Sequence, residues 1–195
     1  MKAWAFALLL LPGFAFAAAQ PDGLQTQTWP IDSARSQAQF SVRKLWFAHA
    51  RGTFPELHGT LRQIGTAAGA HLVEVDATLD VDALEMDDSG HRARALGQDF
   101  FDSARYRWIR FDSDRFPLAE LVTGGTVSGM LTLHGERHPV PLTLEASTCP
   151  RQPLACVIRV HGSIQRSKFG MHGLRGVLSD RVELDLHITL SGDRP

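Results

Sequence analysis

The chain has 195 residues, with 20 Lys and Arg against 21 Asp and Glu and a formal net charge of −1. So even a balance carries no electrostatic footprint for nucleic acid or for an anionic membrane. The length suits one domain with a sizeable core.

Met1 to about Ala19 reads as a secretory signal peptide: Lys2 opens it, Ala3 to Leu11 is apolar, and Ala15-Phe16-Ala17 or Ala17-Ala18-Ala19 is a small-residue cleavage site. The apolar run is short for a bilayer span, and Pro12-Gly13 interrupts it. The expectation is cleavage near Ala17 to Ala19 and a periplasmic or secreted product, without stable membrane insertion. Residues 20–28 then form a polar leader, and residues 29–195 a single domain.

Within that domain Ala38, Phe40 and Val42 alternate with Gln37, Gln39 and Ser41, which predicts a half-buried strand. Leu45-Trp46-Phe47 follows. From Arg51 to Arg62 the chain reads as extended, with Gly52 and Gly59 letting a strand bend. His71 to Asp82 alternates Val73, Val75, Ala77, Leu79 and Val81 with mostly acidic neighbours, a strand with a solvated outer face. Asp88 or Ser89 caps a short helix through Leu96, and Gly97 ends it.

Strands follow toward Ser113, over Thr126 to His134 and over Val140 to Thr148. Gly162 to Gln165 continues the rhythm until R-S-K-F-G-M breaks it. The cleanest alternation comes last, with Val182, Leu184, Leu186, Ile188 and Leu190 facing one way. About eight strands and one or two short helices make an all-β, antiparallel fold. Parallel α/β is excluded because helices do not alternate with strands. Cys149 and Cys156 flank P-R-Q-P-L-A between strands, and in an exported protein the pair reads as a loop-pinning disulfide.

Several dispersed motifs resemble one family. W-P-I-D-S-A-R-S-Q-A-Q-F-S-V from Trp29, D-F-F-D from Asp99, the strand pair L-T-L-H-G and P-V-P-L, and G-S-I-Q-R-S-K-F-G-M with S-D-R-V-E-L-D-L are similar to the YceI-like family. The resemblance implies a lipocalin-like antiparallel β-barrel that holds a long isoprenoid or acyl chain. Two stretches depart from the pattern. Relatives often show Arg-Asp and then His-Leu before D-F-F, whereas here the stretch is His91 to Leu96. Arg107 stands where a proline is common. No head-group contact is therefore carried over from that helix.

Chemistry for catalysis or metal binding is not indicated. His134 and His138 are four apart, but Gly135 and Pro139 place them at a turn between strands rather than on one helical face. Asp99 and Asp102 suit turn bonding better than acid/base work. There is no G-x-S-x-G, P-loop, dinucleotide fingerprint or haem motif. No catalytic residue, metal ligand or cofactor is expected.

Large apolar residues, by contrast, gather where strands break. A barrel of about eight strands either fills its interior with side chains or keeps room for one ligand, and periodicity leaves both open. The family resemblance implies the cavity. Phe40, Trp46, Phe54, Phe100, Phe101, Phe111, Leu131 and Phe169 are the candidate lining residues, chosen for size, strand parity or position at a break. The expected partner is a long-chain isoprenoid or acyl lipid and not nucleic acid, with a homodimer left open. An enzyme acting on a lipid amphiphile and a ligand-free interaction module are the alternatives.

Overall fold

The computed structural model describes residues 26–45, 48–65 and 71–192. The signal-peptide reading, most of the polar leader, and Trp46 lie outside the described residues.

Among the described residues eleven strands form a single antiparallel sheet. In chain order they are β1 (Thr26–Pro30), β2 (Gln37–Lys44), β3 (Ala48–Phe54), β4 (His58–Gly65), β5 (His71–Asp80), β6 (Trp108–Ser113), β7 (Phe116–Pro117), β8 (Gly125–Leu133), β9 (Glu136–Leu144), β10 (Ile158–Gln165) and β11 (Leu178–Ile188). Helices α1 (Ser89–Ala95) and α2 (Glu120–Thr123) are short. The sheet order is β1-β4-β5-β6-β8-β9-β10-β11-β2-β3, with β7 beside β5. It curls into a half-barrel around a hollow core, the all-β lipocalin-like architecture.

The expectation of about eight strands is corrected upward. The end of the polar leader pairs as β1, Thr26 facing Ile64. Phe116–Pro117 adds the short β7. The stretch from Arg51 to Arg62 is two strands rather than one that bends. Pro55, Glu56 and Leu57 separate β3 from β4, and the two do not pair. β3 itself is regular, pairing with β2 in unbroken register from Ala38↔Phe54 to Lys44↔Ala48.

Among the described residues no continuous ladder joins β1 to β3, the two ends of the sheet. Instead the chain beyond β1 is stitched to the end of β11. Ile31 bridges Leu190, Asp32 N–H donates to the Thr189 carbonyl at 2.8 Å, and Ser191 N–H donates to the Pro30 carbonyl at 2.7 Å. The buried Ser36 hydroxyl accepts from Thr189 N–H at 2.9 Å, so the turn after β1 is held to the same point.

A second interruption has a chemical cause. Pro139 and Pro141 of β9 pair with Met130 and Ser128 of β8. Proline has no N–H for a neighbour on its other side, and the ladder to β10 is confined to Leu142–Leu144. The 3-10 turn Arg166–Phe169 that ends β10 packs beside this gap.

The predicted helix forms as expected. The Asp88 carboxylate accepts from His91 N–H at 2.7 Å, capping α1, and Leu96 closes it. Arg92 fastens the helix to the preceding turn through the carbonyls of Leu84 and Asp82, at 2.6 and 2.7 Å. Cys149 and Cys156 are joined in a disulfide across the β9–β10 loop. Closing so short a loop contributes roughly 2–3 kcal/mol on a chain-entropy model.

Candidate ligand cavity

Strand alternation puts one apolar face of each strand toward the inside. Val75, Ala77 and Leu79 of β5 point inward, as do Val127, Leu131 and Leu133 of β8 and Val140, Leu142 and Leu144 of β9. The inward series Val182, Leu184, Leu186, Ile188 and Leu190 of the last strand lies on the same surface. These side chains coat the interior without filling it. They leave a cavity of about 240 Å³ with an almost wholly apolar wall. That exceeds the roughly 150 Å³ of an engineered apolar cavity that stays dry and binds benzene.

Aromatic side chains shape the space. Phe101 meets Phe40 and Phe54 edge-on, each pair of ring centres 5.8 Å apart, and Phe40 lies 6.1 Å from Phe54. Two glycines make room. The Phe40 ring occupies the side-chain space of Gly52, and the Phe111 ring that of Gly129.

Of the candidate residues, Phe40, Phe54, Phe100, Phe101, Phe111 and Leu131 line the cavity. Trp46 lies outside the described residues. Phe169 does not line it, although it is only 1% exposed. It ends the 3-10 turn, packs edge-on against His138 of β9 at 5.1 Å, and its carbonyl accepts from His134 Nδ1 at 2.9 Å. Within R-S-K-F-G-M, Arg166 and Met171 line the cavity while Phe169 plugs the β9–β10 gap. His134 also packs on Tyr106, ring centres 5.0 Å apart, so both histidines of the pair have structural contacts. Asp99 and Asp102 serve turns through their carbonyls, which accept from Gly173 and from Arg105 and Tyr106.

Sequence reasoning missed Arg166, the one buried cation of the wall among the described residues, 5% exposed. Its guanidinium donates to the carbonyls of Ser179 at 3.0 Å, Met171 at 3.1 Å, Gly173 at 2.7 Å and Leu178 at 3.4 Å. The Phe100 ring centre lies 5.9 Å away. Burial lowers the Arg166 pKa from its usual value; the Asp180 charge opposes that shift and Arg175 adds to it. A planar fork with five donors is suited to holding several carbonyls of one loop at once. The one signal in the sequence was an arginine placed where the strand rhythm stops.

The wall becomes polar at few other points. Gln39 sits on β2, while Lys44, His91 and Arg94 join the lining where β2 ends and α1 crosses. The register places Lys44 opposite Leu178 at the start of β11. At the far end of the sheet, buried Leu121 of α2 and Phe116 of β7 line the space.

A family model for the YceI-like domain matches residues 29–190. The chain belongs to the YceI-like family. No curated protein matches it. Among solved structures it is similar to a polyisoprenoid binding domain from Saccharophagus degradans, at 18% identity and TM-score 0.61 over 85% of this chain and 98% of that one. It is also similar to BcnA of Burkholderia cenocepacia, at 21% identity and TM-score 0.60 over 83% and 99%. The Campylobacter jejuni YCEI protein matches at 14% and 0.53 over 94% and 100%. At these identities the neighbours share the YceI-like fold.

Proposed function

We propose that the protein holds a long-chain lipid in its apolar cavity, for storage or transport, and does not transform it. The cargo class is a polyisoprenoid, such as an isoprenoid quinone or prenyl phosphate, or a similar long-chain amphiphile. The compartment is the periplasm or the exterior, as the leader sequence suggests. The observation that carries this reading is the cavity itself, enclosed by inward strand faces and lined almost entirely by hydrocarbon. The Saccharophagus degradans relative, described by its polyisoprenoid binding, supports the same cargo class.

The driving force is transfer of hydrocarbon out of water. Each buried methylene contributes about 0.8 kcal/mol, so a five-carbon isoprene unit gains roughly 3–4 kcal/mol before ordering costs. A few units suffice without any polar contact. A binding role is further supported by the composition of the wall, which is apolar apart from Gln39, Lys44, His91, Arg94 and Arg166.

Native mass spectrometry of the exported protein, before and after organic extraction, tests the reading. The expected result is a complex that loses one discrete lipid mass on extraction. An empty protein that also ignores added isoprenoid quinones and prenyl phosphates would overturn it.

A further inference from the structure

Two of the exposed large apolar side chains, Leu45 and Leu174, stand at the same end of the barrel, 51% and 40% exposed. Leu45 N–H donates to the Val177 carbonyl at 2.7 Å, and Val177 N–H donates to the Leu174 carbonyl at 3.0 Å, so their two turns form one rim. This rim borders the cavity. Leu174 lines it, as do Lys44, which precedes Leu45, and Leu178. Both leucines hold left-handed backbone, φ 53° and 51°. That conformation is uncommon for any residue with a side chain and is disfavoured for one without a local polar bond to offer. The fold thus holds two aliphatic side chains out into water at strained positions beside its greasy opening.

The same rim is rich in free cations. Lys44 and Arg94 line the opening, while Arg43 and Arg175 flank it in the chain. Among the described residues none of these four makes an ion pair. Of the acids on this side, Asp88 caps α1 and Asp180 is held by the Ser167 N–H and hydroxyl, while Asp99 packs beside Gly173. Leu121 and Phe116 are buried where they line the far end of the cavity. At this rim apolar and basic groups are presented together, the pairing that suits the headgroup layer of a membrane.

We propose that this rim docks the protein on a bilayer containing anionic phospholipid, so that cargo passes between membrane and cavity without crossing water. The inference rests on the carrier reading of the cavity. It also revises the expectation from net charge, because a total of −1 averages away a local basic rim.

Co-sedimentation with vesicles of phosphatidylcholine, with and without phosphatidylglycerol, tests it. Wild-type protein is expected to bind the anionic vesicles, less so the neutral ones, and to be released by salt. Leu45→Asn suits left-handed backbone better than leucine and keeps the fold; it is expected to weaken binding about fivefold. Arg43→Gln with Arg175→Gln is expected to weaken it about twentyfold, from the worth of each basic residue near an anionic surface. None of these three residues lines the cavity, so both purified variants should hold lipid added to them in solution as wild type does. Wild-type protein that stays in the supernatant with both compositions, or variants that bind as wild type does, would overturn the proposal. Cross-linking to one membrane protein with no vesicle binding would likewise replace the bilayer by a protein partner. Docking by a protein that carries no lipid would leave the surface standing and remove the cargo instead.

Discussion

A β-carbon added to Gly52 would stand 2.5 Å from both Cε1 and Cζ of Phe40, its cross-strand partner on β2. The ring has little room to retreat, since Phe54 and Phe101 already pack against it. Gly52→Ala should therefore drive Phe40 toward the cavity. The expected cost is about 1–3 kcal/mol, typical of overpacking, together with a smaller lipid load. Denaturant midpoints and the mass of extracted lipid measure the two effects. A wild-type midpoint with a full load would show that the ring has another place to go.

Arg166 organises the turn that ends β10 through backbone carbonyls alone. Removing the guanidinium leaves those carbonyls short of donors in a buried place. Arg166→Leu is expected to lower stability by about 2–4 kcal/mol. Arg166→Lys keeps the charge but not the planar fork, and should recover less than half of the loss. Urea denaturation of the three proteins decides this; equal midpoints for lysine and arginine would show that charge alone suffices.

These two sites also show what the chain discloses before it is folded. Val182 to Leu190 was legible because period-two alternation states which side is wet, and its inward members do line the cavity. Helix α1 was legible because Asp88 and Gly97 mark its ends in short-range chemistry. The split between β3 and β4 was obscured because two glycines suggested a bend, while Pro55 actually separates two strands that meet different neighbours. Phe169 was misplaced for a similar reason. Its position at a break is visible, but whether a break faces inward depends on the β9–β10 gap, which only register reveals. The hollow itself lay beyond periodicity, because inward-facing aliphatics look the same whether they touch across the barrel or stop short.

Asp80 and Arg107 give the fold a pH-dependent surface clasp. Arg107 donates to the Asp80 carboxylate from Nε at 3.2 Å and from Nη2 at 2.8 Å. This pairing, with the Asp82 N–H, holds the Asp80 pKa below its ordinary value of 3.8, against a smaller opposing effect of burial. A carboxylate whose folded pKa is depressed contributes stability above its unfolded value and loses it as the pH falls through the folded one. Asp80→Asn should thus be less stable than wild type near neutrality, with the gap closing below pH 3.8. Thermal midpoints of both proteins across the acid range check this. A gap that stays constant with pH would show that the Asp80 charge is not the source of the effect, since asparagine can still accept from the Asp82 N–H.

Ala77 separates the cavity from the fold most cleanly. It faces inward on β5 opposite Phe111 of β6, and its side chain takes up little of the hollow. Ala77→Trp places an indole in space that a guest would otherwise use. Filling an apolar void without straining neighbours tends to stabilise a protein, by about 0.5–2 kcal/mol. The expected variant melts at or above the wild-type temperature yet yields little extracted lipid. Thr78→Trp, one residue on and facing the opposite side of the sheet, controls for bulk alone and should keep its load. Wild-type lipid content in Ala77→Trp would place the guest outside the barrel, because no other change offers a folded protein with its hollow already occupied.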